Sequence, residues 1–289
     1  MTFKAALTYA KKILKDSGID SFSIDAVVLL CDVLKISREK LFTHIDQDLS
    51  ETQYQTYRSY LKKRLNGICT ACILGHKEFR YLDIIVSPDV LVPRPDTELL
   101  VETALSYIDE KLSNSKAKIK ILDLCCGSGA VAVSLLYERS GIQVIASDIS
   151  DSAIIITKQN SEKYNLPLQI ITSDLFDKLH DKLPMEGKFD LIVSNPPYIK
   201  TSVIKTLSRE VQNEPHIALD GGEDGLELIR RIISESNNFL KIGGALIMEA
   251  EMSIMKQIEQ LLYENKYTKI KIIKDLSGSD RVISALMSF

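Results

Sequence analysis

The 289-residue sequence has no long apolar run. No uncharged stretch approaches the ~18 residues a membrane span needs, so no membrane segment is expected. The N-terminus carries Lys4, Lys11, Lys12, Lys15 and Asp16 and lacks the apolar core of a signal peptide. Cysteine is sparse: five in all, an odd number in a long chain. That argues against a secreted disulfide framework and for a reduced, cytoplasmic compartment. Net charge is small. Lys and Arg number 36 and Asp and Glu 39, a balance of −3, which excludes a bulk nucleic-acid binder of the basic-patch kind. Internal repeats and low-complexity segments are missing too. What is present is the composition of an ordinary folded protein, with a length that favours two domains or one large one.

The first ~75 residues read as short amphipathic helices. Phe3, Leu7, Ala10 and Leu14 fall at helical spacing. Ser23 is placed to cap a second helix through Val27, Leu30 and Leu34. Ser50-Glu51-Thr52-Gln53 has the form of a capping box, opening a helix with Tyr54, Tyr57, Leu61 and Leu65 on one face and Gly67 at its end. Residues 79–86 and 90–92 then read as two short strands around the turn Ser87-Pro88-Asp89. From 96 onward helices alternate with strands at 119–124, 143–147, 168–172, 189–194, 244–249, 268–273 and 281–287. Apolar strands alternating with helices predict a parallel sheet covered on both faces. The connection between the last two strands is too short for a parallel crossover, so they are expected to pair antiparallel. The expected layout is thus a helical domain over 1–77, a β-hairpin linker over 78–95 and an α/β domain over 96–289.

Two loops carry chemistry. The strand Ile119–Leu124, with Asp123 near its end, runs into Cys125-Cys126-Gly127-Ser128-Gly129, and a helix follows. Gly127 and Gly129 have no Cβ, so a ligand can approach the backbone closely at the helix N-terminus. Asp148 lies 19 residues after Gly129, at the end of the next strand. A carboxylate there can accept hydrogen bonds from ribose hydroxyls. The pattern predicts nucleoside binding. It leaves open whether the ligand is a dinucleotide, since Gly127, Gly129 and Ala132 fit G-x-G-x-x-A, or S-adenosylmethionine, for which Asp123 would be the upstream acid.

The second loop, Asn195-Pro196-Pro197-Tyr198, ends the strand Phe189–Ser194. In a doubly wound sheet it shares one crevice with the glycine loop. An amide or aromatic amine nitrogen is a poor nucleophile because its lone pair is delocalised. The Asn195 side-chain oxygen and the Pro196 carbonyl can each accept one of its N–H bonds. That draws the nitrogen out of conjugation and aims its lone pair at an incoming methyl. Tyr198 offers a flat face to hold a planar group. No strong general base is needed, because positioning and electrostatics do most of the work.

Together with three further segments, these residues resemble the release-factor glutamine N5-methyltransferases, the PrmC/HemK type. Pro93-Arg94-Pro95-Asp96-Thr97-Glu98 is similar to that family's PRPETE segment. Glu214-Pro215 with Ala218-Leu219-Asp220-Gly221-Gly222-Glu223-Asp224-Gly225-Leu226 is similar to its EP…AL-x-GG-x-DGL segment. Gly278-Ser279-Asp280-Arg281-Val282 resembles its G-x-DRV signature. The resemblance covers nearly the whole chain. It implies a small helical N-terminal domain, a hairpin, and a Rossmann-like class I methyltransferase domain whose seven-stranded sheet has an antiparallel last strand. It implies S-adenosylmethionine as cofactor, held by Asp123, Cys125, Cys126, Gly127, Ser128, Gly129, Asp148, Asp174, Leu175 and Asn195. Ser173, Asp174, Leu175 and Phe176 would sit beside the adenine. The implied substrate is the glutamine of the Gly-Gly-Gln loop in class I peptide chain release factors. Asn195, Pro196, Pro197, Tyr198 and Arg94 would hold it, with Asn195, Pro196 and Tyr198 catalytic. The family usually has Gly in place of Cys125 and often Trp in place of Leu175. Its Glu-Ile-Gly appears here as Glu249-Ala250-Glu251.

Two other functions stay open at this point: an amino-methyltransferase acting on a ribosomal-protein glutamine or an adenine N6, and a non-catalytic nucleoside-binding scaffold. An adenine enzyme must extrude its base and grip phosphates, and the low basic charge argues against it. A scaffold has no need of the paired acceptors at Asn195 and Pro196. Cys69 and Cys72 form a C-x-x-C without a second pair, so no metal site is expected. Cys125 and Cys126 are expected to be inert loop thiols. Arg58, Lys62, Lys63 and Arg64 form a basic run, either a solvated helix face or a surface that touches the acidic surface or bound RNA of a translation partner. Arg94 either makes a helix-start ion pair with Glu98 or orients the substrate loop or the Asn195-Pro196-Pro197-Tyr198 segment through a salt bridge. His44, His180 and His216 show no partner spacing and are given no role. The chain is expected to be a monomer without sequence-specific nucleic-acid binding.

Overall fold

A computed structural model describes residues 1–114, 117–179 and 188–288. The chain divides into two compact units, Met1–His76 with Ser208–Asn213, and Lys77–Leu207 with Glu214–Phe289.

The first unit is helical: α1 (Phe3–Asp16), α2 (Phe22–Leu34), α3 (Arg38–Thr43), α4 (Glu51–Leu65) and α5 (Thr70–Leu74). Phe3, Leu7, Ala10 and Leu14 form the buried stripe of α1 and share a core with Ala26, Leu29, Leu30, Tyr57 and Leu61. Burying the Tyr57 ring also requires a partner for its hydroxyl, which donates to the Ala26 carbonyl at 2.8 Å. The capping box forms. Ser50 Oγ accepts from Gln53 N–H, and Gln53 Oε1 accepts from Ser50 N–H. Ser23 is not the cap of α2. Ser21 holds that position, and its hydroxyl donates to Asp25 instead of capping a backbone N–H.

That bond belongs to a buried polar knot. Arg64, 1% exposed, donates from Nε to Asp25 Oδ2 at 2.7 Å. Its Nη2 pairs with Glu210 of the returning segment 208–213. Arg64 therefore leaves the basic run, because a charge so desolvated persists only when paired. Arg58, Lys62 and Lys63 are exposed. Cys69 serves as the N-cap of α5, its sulfur accepting from Cys72 N–H at 3.3 Å.

The second unit begins with a hairpin, β1 (His76–Phe79) and β2 (Leu82–Ile85). Its turn is Arg80-Tyr81, with φ of +45° and +65°. The expected hairpin over 78–95 is thus displaced. The turn at Ser87 does form, Ser87 Oγ accepting from Asp89 N–H, but it joins no pair of strands. Val90 and Val92 are buried in irregular backbone.

The remaining elements are α6 (Thr97–Asn114), β3 (Ile119–Leu124), α7 (Ala130–Glu138), β4 (Ile142–Asp148), α8 (Asp151–Lys163), β5 (Gln169–Thr172), β6 (Phe189–Ser194), α9 (Thr201–Ile204), α10 (Arg209–Gln212, within the first unit), α11 (Glu227–Ser236), β7 (Leu240–Glu249), α12 (Met255–Glu264), β8 (Tyr267–Lys274) and β9 (Asp280–Met287). Seven strands form one sheet in the order β5-β4-β3-β6-β7-β9-β8. The first five are mutually parallel, and β9 runs antiparallel to both β7 and β8. This is the expected class I arrangement. Leu122, Ile192, Leu246 and Ile283 supply the strand side of the core, against Ile229, Ile233, Met255 and Ile258 from the helices.

The order reverses at β3 and β6, so a crevice opens beyond their carboxyl ends. Leu124 and Ser194, the last residues of the two strands, lie opposite each other, and Ser194 Oγ donates to the Leu124 carbonyl at 2.9 Å. The glycine loop and the Asn195 loop therefore leave the sheet side by side. Among the described residues, no helix is long and apolar enough to cross a membrane.

Candidate active site

The glycine loop turns on three left-handed residues: Cys125, Gly127 and Gly129, with φ of +58°, +55° and +76°. Gly129 has no room for a side chain, since a Cβ there would lie 2.7 Å from Thr157 Cγ2. Gly127 is different. A Cβ there would meet nothing within 4 Å, so its backbone faces open space. The loop is held from several sides. Thr157 donates to the Gly127 carbonyl, and Asn160, fully buried, donates to the carbonyls of Ser128 and Ile85. Asn160 also accepts from Ile85 N–H at 2.7 Å and so ties the hairpin to the loop. Nothing in the sequence pattern marked Asn160, because its partners are backbone atoms far along the chain.

Cys125 stands where a left-handed backbone favours glycine. A side chain there costs roughly 1–2 kcal/mol. Cys125→Gly should therefore raise the stability of the protein by about 1 kcal/mol, and β-branched Cys125→Val should lower it. Denaturant unfolding checks this, and an unchanged or lower midpoint for Cys125→Gly would refute it. Burial pushes both the Cys125 and the Cys126 thiols up, so neither is a ready thiolate at neutral pH.

Carboxylates flank the loop. Asp148 accepts from Gly127 N–H and Ser150 N–H, both at 2.9 Å, and burial pushes its carboxyl above the ordinary carboxylate value. Asp123 is buried, accepts from Ala132 N–H at 3.0 Å, and is pushed up to about 8 by burial. Asp174 is half exposed and pairs with Arg231 of α11 at 3.0 Å, a residue that sequence pattern did not single out.

One pocket collects most of the expected residues. Asp123, Cys125, Cys126, Gly127, Ser128, Asp148, Asp174, Leu175, Asn195 and Pro197 line it, together with Val90, Leu91, Thr97 and Arg231. Gly129, Pro196, Tyr198 and Arg94 do not. Gly129 acts as the N-cap residue of α7. Arg94 pairs with Glu214 and not with Glu98: its Nη2 donates to both Glu214 carboxylate oxygens, at 2.8 and 2.7 Å. It thereby joins the Pro93-Arg94-Pro95 segment to Glu214-Pro215. Glu98 instead accepts from Arg80 N–H.

At the Asn195 loop, Pro196 and Pro197 are buried. Asn195 Nδ2 donates to Thr97 Oγ1 at 3.2 Å. The Tyr198 hydroxyl donates to Glu249 Oε1 at 3.1 Å. Burial, and then the Glu249 charge, push the Tyr198 phenol up, so it keeps its proton and remains a donor. Two glycines press on the loop from behind. A Cβ on Gly225 would lie 2.5 Å from the Tyr198 carbonyl oxygen, and one on Gly221 2.7 Å from Tyr198 Cα. Arg281 ion-pairs with Asp96 at 3.1 Å and Asp275 at 3.3 Å. Segments quoted from distant parts of the sequence thus meet around one loop.

His44 donates from Nδ1 to the Lys40 carbonyl at 2.9 Å, and His216 Nδ1 lies 3.7 Å from Asp220. His180 falls outside the described residues. Among the described residues, no group of three or more His, Cys, Asp or Glu side chains could hold a metal ion.

Comparison with known proteins bears on this site. Residues 5–75 match the family described as the PrmC N-terminal domain, and residues 97–211 match the methyltransferase small domain. The chain is 38% identical to a release factor glutamine methyltransferase of Clostridium botulinum, over 99% of each chain. It is 34% identical to one of Agrobacterium fabrum, over 98% of this chain and 96% of that one. Among solved structures, the hMettl16 catalytic domain superposes with a TM-score of 0.57 at 17% identity, covering 80% of this chain and 82% of that one. That last likeness concerns the fold alone.

Proposed function

We infer the reaction from one premise: the chain belongs to the release factor glutamine methyltransferase family. The proposed reaction transfers a methyl group from S-adenosylmethionine to the side-chain nitrogen (N5) of the glutamine in the Gly-Gly-Gln loop of class I peptide chain release factors. The observation that carries this reading is the Asn195 amide. Its Nδ2 is committed to Thr97, which leaves Oδ1 as the group available to accept from a substrate amide at the pocket wall.

The residues present fit the cofactor. Gly127 offers backbone with open space before it, Val90 and Leu91 give apolar walls, and Asp148 and Asp174 stand as acceptors for hydroxyl and amino groups. When bound, S-adenosylmethionine supplies an electrophilic methyl on a sulfonium. The protein then has to bind and orient. Asn195 Oδ1 and the Pro196 carbonyl would take the two N–H bonds of the glutamine amide, turning its nitrogen lone pair out of conjugation. The Tyr198 ring, held by Glu249, would cover the flat amide. The products are N5-methylglutamine, S-adenosylhomocysteine and the proton that the nitrogen gives up once methylated.

The helical unit is proposed to grip the release factor, with exposed Arg58, Lys62 and Lys63 facing acidic surface. The enzyme would act as a monomer in the cytoplasm. Labelled cofactor offered in parallel to purified release factor, ribosomal protein and DNA tests the reading. Label should enter the release factor, and charge reversal at Arg58, Lys62 and Lys63 should raise KM at low salt. Label in DNA alone would sink the reaction, and an unchanged KM would sink the docking face.

A further inference from the structure

We propose that Glu249, at the end of β7, is a positioning residue that fixes which way the Asn195 amide faces. The inference rests on reading the Asn195 loop as the site of the acceptor amide. Across β6 and β7, Ser194 pairs with Met248, so Asn195 and Glu249 leave adjacent strands side by side. Glu249 is 1% exposed. Its Oε1 accepts from the Tyr198 hydroxyl, and its Oε2 has no hydrogen-bond partner among the described residues. Thr97, the first residue of α6 and 5% exposed, accepts from Asn195 at Oγ1, and its hydroxyl favours the charged form of Glu249.

These facts set a direction. A hydroxyl has one proton, and a carboxylate can only accept. While Thr97 oxygen accepts from Asn195, its proton has to go elsewhere, and the orphaned Glu249 Oε2 is the acceptor beside it. The polarity then runs one way, from Asn195 through Thr97 to Glu249, with Tyr198 donating to the same carboxylate. Oδ1 of Asn195 is left toward the pocket. A group at 249 that can donate would reverse this. It would give its hydrogen to Thr97, turn the Thr97 proton toward Asn195, and flip the amide so that a donor faces the substrate. An unsatisfied or half-reversed buried network is costly, which is why one carboxylate can govern both side chains.

The charge state of Glu249 depends on every element around it. Burial raises its carboxyl above the ordinary value. Thr97, Tyr198 and Arg281 of β9 oppose that, and Asp96 adds to it. A protonated Glu249 can donate, as an amide can. The relay therefore holds above the raised value and is lost as pH falls through it.

The test compares Thr97→Val, Thr97→Ser and Glu249→Gln with the wild type, using whichever acceptor takes label in the parallel assay. Failure of release factor as acceptor then shows in the wild type alone and leaves the ratios between variants readable. Thr97→Val and Glu249→Gln should lower kcat ~10- to 100-fold, the scale of a small misplacement at a reacting centre, with cofactor Kd unchanged by calorimetry. Thr97→Ser keeps the hydroxyl and should restore most of the rate. The wild type should show an acid limb in kcat that Glu249→Gln lacks. Equal kcat for Thr97→Val and Thr97→Ser would overturn the proposal. So would a Glu249→Gln variant with wild-type kcat and the same acid limb.

Discussion

Asn195→Ala should lose about 10²- to 10³-fold in kcat, the usual loss on removing one preorganised hydrogen-bonding group from a reacting centre. Alanine removes the Oδ1 acceptor and leaves the Pro196 carbonyl as the single remaining one. The amide nitrogen then stays conjugated in the ground state, and the methyl meets a lone pair that is not localised. Binding of S-adenosylmethionine should change little, because the glycine loop, Asp148 and the apolar walls are untouched. Methyl transfer under saturating cofactor, with calorimetry for its affinity, separates the two effects. A variant that keeps more than about a tenth of the wild-type kcat would show that the acceptor role is misassigned.

Gly225→Ala should be nearly as severe for a different reason. Gly225 has φ of +80°, and a Cβ there would stand 2.5 Å from the Tyr198 carbonyl oxygen. The obstacle is backbone, so no side chain can swing aside. Tyr198 must move, and its hydroxyl bond to Glu249 goes with it. A misplacement of this kind at a reacting centre costs up to about 100-fold in rate. Gly243→Ala is the control. Its φ of +74° carries the same conformational penalty, yet nothing lies within 4 Å of the added Cβ. It should lose stability, of order 1–3 kcal/mol, while retaining its rate. Equal loss of activity in the two variants would mean that strain, and not the approach to Tyr198, explains the glycine.

Local order was legible in the sequence wherever a local signal existed. The α1 stripe, the Ser50 capping box and the strands Ile119–Leu124 and Phe189–Ser194 followed from spacing within a few residues. The hairpin was misplaced for the converse reason. Its turn uses Arg80 and Tyr81 in left-handed backbone, residues that carry no turn signal, while Ser87-Pro88-Asp89 carries a strong one and forms a turn without strands. Arg64 shows the same limit for charge. Beside Lys62 and Lys63 it reads as surface, and only the fold brings Asp25 and Glu210 to it.

The site divides in the same way. Both loops were visible, because strand, glycine, proline and asparagine are adjacent in sequence. Their supports were not. Thr97, Asn160, Glu249 and Arg281 act across separations that only the sheet order closes. Thr97, Glu249 and Arg281 stood inside quoted segments without a role.

The helical unit is completed by Ser208–Asn213, which the chain supplies only after most of the sheet. Synthesis therefore delivers α1–α5 first, yet Arg64 waits for Glu210 until residue 213 has been made. Over that interval Asp25 and Ser21 are its partners within the unit. The nascent helices can collapse early, as domains made first commonly do. Their last turn of packing is deferred until the Asn195 loop has also left the ribosome. The part proposed to hold the release factor is thus finished before the part proposed to modify it, because the Asn195 loop still waits for Gly225 and Glu249.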